Sequence, residues 1–77
     1  MKREEALNLL KKLEATFDTI KFTRFVLLKN DARKGLWELQ VEWLPQKDEK
    51  QKLTKLAIQD HLEIIYNDCQ TIFRRST

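Results

Sequence analysis

The sequence predicts a single α+β domain of element order α-β-β-α, in which two helices pack on one face of an antiparallel β-hairpin. Three observations predict this fold class. Apolar residues recur at three- and four-residue steps near the start of the chain, alternate with polar residues in its middle, and return to helical steps toward its end. One glycine and one proline among 77 residues leave no flexible linker, so residues 1–77 are expected to form one small domain.

The first helix is predicted from about Arg3 to Phe17. Its apolar residues share one side, and charged residues lie on the other. Glu4 and Glu5 fall in the first turn, where a carboxylate is favoured by the helix dipole. The apolar side consists of Ala6, Leu9, Leu10, Leu13 and Phe17.

Two strands joined by a turn are predicted to follow. Residues 20–28 are rich in β-branched and aromatic side chains, and residues 37–43 alternate strictly between apolar and polar. Residues 30–35 form the turn, which ends at Gly35, a residue suited to positive φ. The inner face is expected to hold Phe22, Val26, Leu28, Trp37, Leu39 and Trp43, and the outer face Phe25, Leu27 and Leu36.

Arg24 conflicts with this assignment of faces. Strict alternation places it on the inner face, opposite Val41. A bulge, an alkyl stem that reaches past the sheet edge, or a different register would each resolve the conflict.

The second helix is predicted to begin near a capping box at Asp48 and Gln51, after Pro45 ends the strand, and to run to about Arg74. Asn67 and Asp68 leave open a kink or the start of fraying. Such a helix spans roughly 40 Å, which exceeds the length of the hairpin. Its apolar band is also wider than one contact surface requires, so a second subunit is expected to cover the remainder.

The sequence therefore predicts a non-enzymatic binding or regulatory module that acts through protein–protein contacts as a homodimer. A lone hairpin is marginally stable and leaves two unpaired edges, and joining two hairpins across a two-fold axis would satisfy both. The predicted interface residues are apolar or aromatic. They are Phe25, Leu27, Leu36, Tyr66, Ile72 and Phe73.

The alternative function is nucleic-acid binding through a basic hairpin. Lys29, Arg33 and Lys34 cluster near the turn, where they could contact phosphates or steer an acidic protein partner. The carboxylates of Glu38 and Glu42 on the second strand would repel the phosphates of a nucleic acid that crossed this strand. The full set of possible polyanion contacts is Lys21, Arg24, Lys29, Arg33 and Lys34.

Catalysis has little support in the sequence. His61 and Cys69 are the only imidazole and thiol, and on one helix they would lie about 12 Å apart along its axis, too far to activate each other. Cys69 is therefore expected to be a small buried apolar residue and His61 a boundary residue. No cofactor, metal site, small-molecule substrate or membrane span is expected, and a single cysteine favours a cytoplasmic location.

Overall fold

The computed structural model describes residues 2–21, 24–31 and 36–75. Within these residues the chain forms helix α1 (Arg3–Thr16), a short 3₁₀ turn (Asp18–Ile20), strands β1 (Phe25–Asp31) and β2 (Leu36–Val41), helix α2 (Lys47–Asp60), and strands β3 (Leu62–Tyr66) and β4 (Thr71–Arg75). The predicted α+β class is confirmed. The sheet, however, has four strands rather than two, and every neighbouring pair is antiparallel.

The sheet order is β1-β2-β4-β3. The element order therefore repeats: α1-β1-β2 and α2-β3-β4 are two αββ units that meet at the β2–β4 pair. The strand order is symmetric, since exchanging β1 with β3 and β2 with β4 reproduces it. The helices do not follow this exchange, because α1 packs mainly on β2 whereas α2 packs mainly on β3.

Both helices pack on the same face of the sheet. α1 buries Ala6, Leu9, Leu10 and Leu13, and α2 buries Leu53. These residues form one apolar cluster with residues from the central strands and the loops around them, so the core lies between the helices and the sheet. The loop and strand members are Phe17, Ile20, Leu39, Val41, Trp43 and Phe73.

The predicted second helix is wrong beyond Asp60. His61 adopts a left-handed conformation with φ 54° and ends α2, and residues 62–75 form the β3–β4 hairpin instead. Residues 62–66 and 71–75 are rich in β-branched and aromatic side chains, which favour a pleated sheet, and the intervening Asn67 and Asp68 suit a turn. The broad apolar band came from two strands, so no second subunit is needed to cover it.

Two smaller corrections concern where elements begin. The capping box of α2 is formed by Gln46 and Glu49, two residues before the predicted pair. The first strand begins at Phe25 rather than Ile20, since Ile20 is buried in the 3₁₀ turn.

The predicted faces of β1 are also reversed. Leu27 lies opposite Leu39 and packs against the core, whereas Val26 lies opposite Gln40 on the face without helices. Residues 25–28 are apolar without interruption, so period-two alternation could not show which of them point inward. Arg24 is exposed. The different register therefore removes the conflict that strict alternation created by placing Arg24 on the inner face.

Candidate functional site

Strand β1 forms one edge of the sheet and carries the most exposed apolar side chains of any strand described. Phe25 is 45% exposed, Val26 50% and Leu28 42%, and these are three of the six exposed large hydrophobic residues in the described part of the chain. Natural sheets usually protect such an edge with charged residues, proline or a covering element. A successive row of apolar side chains on an open edge indicates a contact surface.

The backbone of β1 also offers hydrogen bonds to a partner strand. The Glu42 N–H donates to the Arg24 carbonyl over 2.8 Å, which identifies these two residues as a hydrogen-bonded pair of the β1–β2 ladder. Because bonded and non-bonded pairs alternate along an antiparallel ladder, the N–H and C=O groups of Phe25 and Leu27 point away from β2. They face the open edge, where an added strand would be placed.

The sheet face opposite the helices continues this surface. One row across the sheet pairs Val26 with Gln40, Gln40 with Ile72, and Ile72 with Ile65. Ile72 is buried within this row, and Ile65 is half-buried. The row is thus apolar apart from Gln40, and it crosses the sheet from the open edge of β1 to Ile65 on β3.

Charged side chains beside this row on the same face are paired by hydrogen bonds. Arg74 donates two hydrogen bonds to the Glu63 carboxylate, of 2.9 and 3.0 Å, and the Gln40 amide donates one of 2.9 Å to Glu38. The Arg74 hydrogen bonds lower the pKa of Glu63 from its ordinary value of 4.5. The same pairing, with a smaller contribution from the charge of Glu38, raises the pKa of Arg74.

The other edge strand, β3, differs from β1. It has five residues against seven in β1, and its second residue, Glu63, is tied to β4 by Arg74. At its end the Lys50 ammonium lies 4.7 Å from the centroid of the Tyr66 ring. Partial burial raises the pKa of the Tyr66 hydroxyl, which favours its neutral form. The short length of β3, its single carboxylate and the cation over its last aromatic ring disfavour strand addition at this edge.

The predicted interface residues divide into three groups. Phe25 and Tyr66 are exposed, at the edges β1 and β3 respectively. The side chains of Leu27, Ile72 and Phe73 are partly or fully buried, and Leu27 and Phe73 pack in or against the core cluster. The part of these residues in an interface stays a prediction. The side chain of Leu36 lies outside the described residues.

The predicted polyanion contacts are not brought together by the described part of the structure. Lys21 forms an exposed ion pair of 3.2 Å with Asp18, and Arg24 is exposed near Glu42. Arg33 and Lys34, together with the side chain of Lys29, lie outside the described residues. Nucleic-acid binding through the hairpin tip therefore stays a prediction.

The expected burial of Cys69 is wrong, because Cys69 is exposed in the β3–β4 turn region. His61 and Cys69 belong to different elements, and His61 is exposed at the end of α2. Among the described residues, no group of three or more histidine, cysteine, aspartate or glutamate side chains is placed to hold a metal ion. The described helices also include none with the length and apolar character required to cross a bilayer.

Comparison of the chain with protein-family models, curated proteins and solved structures gives no match. The chain's own surface is therefore the basis for inferring its function. Val26 and Leu28 are the residues of that surface that sequence reasoning placed in the core. The conflict at Arg24 was the available signal, since moving Arg24 to the outer face moves Val26 and Leu28 with it.

Proposed function

We propose that this chain is a non-enzymatic protein-binding module that forms a homodimer by pairing the open edge of β1 with β1 of a second copy. The observation that carries the proposal is the succession of exposed Phe25, Val26 and Leu28 on an edge strand whose outward backbone groups are available to a partner. Two four-stranded sheets would then join into one continuous sheet of eight strands.

A second copy is the favoured partner because β1 is complementary to itself. Phe25 and Leu27 carry the outward backbone groups, so a two-fold axis at Leu27 places the Leu27 residues of both copies in a hydrogen-bonded pair. The same register sets Val26 of one copy beside Leu28 of the other on the open face. Each copy thereby covers part of the exposed Val26 and Leu28 side chains of its partner.

The expected dimer is moderate in affinity. Completing the burial of a half-exposed valine or leucine contributes about 1 kcal/mol, so Val26 and Leu28 of the two copies contribute at most on the order of 4 kcal/mol. Association costs about 4–15 kcal/mol, and the new backbone hydrogen bonds must offset the remainder. The dimer is therefore expected to dissociate on dilution.

The test is the molar mass of the protein by light scattering across a dilution series. The wild-type chain is expected to approach twice the monomer mass of 9.3 kDa at high concentration. A variant that combines Val26→Lys with Leu28→Lys is expected to stay monomeric and folded, because the proposed register would set lysines of the two copies side by side. Phe25→Pro is expected to weaken the dimer as well, because proline removes an outward N–H that an edge strand can lose without disturbing its own sheet.

Ile58→Lys provides the matched control. Ile58 is 74% exposed on α2, so the control replaces an exposed apolar residue with lysine away from β1. It should leave the dimer unchanged. A wild-type chain that is monomeric at every concentration, or a dimer that tolerates the β1 double variant, contradicts the proposal.

A further inference from the structure

We propose that a cleft between α1 and the end of α2 binds a short zwitterionic peptide of about three residues. The cleft has a volume of about 460 Å³, within the range of small-molecule sites. It includes the first residue of β3 and the last residue of β4. Since β3 and β1 are opposite edges of the sheet, this site is independent of the proposed dimer edge. Its lining is Glu5, Asn8, Leu9, Lys12, Gln59, Asp60, His61, Leu62 and Arg75.

Each end of the cleft carries one ion pair that joins α1 to another element. Lys12 contacts Asp60 at the end of α2 over 3.1 Å, and Glu5 contacts Arg75 at the end of β4. All four side chains are partly exposed, and exposed ion pairs contribute little to stability, so a ligand charge can take the place of one partner at small cost. The cleft can therefore receive an ammonium group at one end and a carboxylate at the other.

The helix dipoles set the direction in which such a ligand would lie. α1 begins at Arg3, two residues before Glu5, and its positive end is next to Arg75. α2 ends at Asp60, so its negative end lies at the opposite part of the cleft. The ligand carboxylate is expected beside Arg75 and the ligand ammonium beside Asp60.

The distance between the two ion pairs selects the length of the ligand. Glu5 and Lys12 are seven residues apart on α1, which corresponds to about 10 Å along the helix. An extended chain advances about 3.3–3.6 Å per residue, so a peptide of about three residues places its terminal charges at this separation.

The remaining lining suits a peptide between those charges. Asn8 and Gln59 each offer a donor and an acceptor that match a peptide group, and neither has a side-chain hydrogen bond to another described residue. Leu9 and Leu62 supply an apolar floor for a side chain of the ligand. The lining therefore offers a peptide both hydrogen-bonding groups and apolar contact.

The test is a titration of the ¹⁵N-labelled wild-type protein with the tripeptide alanyl-leucyl-alanine to millimolar concentration, followed by amide chemical shifts. Saturable shifts are expected at Asn8, Gln59, His61 and Leu62. The same peptide with an acetylated N-terminus and an amidated C-terminus is expected to bind about tenfold more weakly, because it lacks both terminal charges.

Gln59→Ala isolates the contribution of the lining amide. It should weaken binding about threefold to tenfold through the loss of hydrogen bonds, while both ion pairs remain. Gln51→Ala is the matched control, since Gln51 is exposed on the same helix and does not line the cleft. Absence of saturable shifts, equal binding of the blocked peptide, or equal effects of the two glutamine variants would each overturn the proposal.

Discussion

The two αββ units share an element order, but they differ in how many side chains their helices bury and in how many apolar side chains their edge strands expose. α1 buries four residues on the sheet, whereas α2 buries only Leu53. The edge strand of the first unit exposes three apolar side chains, while that of the second is short and held by the Glu63–Arg74 ion pair. The first unit supplies most of the core and leaves an exposed apolar edge, whereas the second unit completes the sheet with a shorter edge strand.

The largest effect is expected where the two units meet. Phe73 on β4 lies opposite Leu39 on β2, and both are fully buried. Phe73→Ala should lower the free energy of unfolding by about 3–5 kcal/mol through lost burial and the cavity left behind. A domain of this size has only about 4–12 kcal/mol in total, so the variant should be close to unfolding at room temperature.

Urea denaturation followed by circular dichroism measures this loss. Ile58→Ala serves as its control, because an exposed residue on α2 should change stability by no more than about 0.5 kcal/mol. Cavities of this kind cost about 3–5 kcal/mol when the residue belongs to a shared core. A loss below about 1 kcal/mol for Phe73→Ala would therefore mean that the two units do not share one core.

The next prediction separates the helices. Leu13→Ala and Leu53→Ala each remove a fully buried leucine and should each cost about 2–5 kcal/mol. Leu53 is the single buried residue of α2, so its loss should also release α2 locally, whereas α1 keeps three other buried residues in place.

Native-state hydrogen exchange distinguishes the two outcomes. In Leu53→Ala the amides of α2 should exchange by local opening, faster than those of the sheet. In Leu13→Ala the amides of α1 should exchange together with the sheet. Identical exchange patterns in the two variants would show that the two helices are equally stable against local opening, which would contradict the difference between the units.

A pair of threonines gives a smaller effect. The Thr71 hydroxyl is buried and donates a 2.7 Å hydrogen bond to the Trp43 carbonyl, whereas the Thr54 hydroxyl is exposed and donates one of 2.9 Å to the Lys50 carbonyl. Thr71→Val leaves a buried carbonyl without its partner and should cost about 1–3 kcal/mol. Thr54→Val should be nearly neutral because water replaces the hydroxyl. Thermal denaturation of the two variants measures the difference, and equal melting temperatures would contradict it.

The smallest effect is a pH dependence at the β3 edge. The pKa of Glu63 is lowered in the folded state by Arg74, so below its ordinary value of 4.5 the unfolded chain binds more protons at this position. Stability should therefore rise with pH between the lowered pKa and about 4.5, and this contribution should be lost as the pH falls through that window.

Denaturation at a series of acidic pH values detects this slope. Glu63→Gln and Arg74→Met should each reduce it, because the first removes the titrating group and the second removes the cause of its shift. An unchanged slope in both variants would assign the acid sensitivity of the domain to other carboxylates.

Much of the first unit could be predicted from the sequence. α1 was predicted within one residue at its end, because its apolar residues recur with helical spacing. Strict alternation likewise predicted β2 and the inward positions of Leu39 and Val41. In both segments polar residues occupy most outward positions, so the pattern favours one orientation.

The strands of the second unit and the orientation of the β1 side chains could be assigned only from the tertiary structure. Residues 62–73 contain apolar side chains at both helical and strand spacing, and only pairing with β2 and within its own hairpin stabilises the extended form. Residues 25–28 are all apolar, so alternation does not show which of their side chains point inward. The packing of Leu27 against the core places Val26 and Leu28 on the outer face. The sequence by itself determined the fold class and the elements whose polar residues show their orientation. Where both faces of a segment are apolar, long-range strand pairing selected the conformation, because local spacing does not distinguish the alternatives.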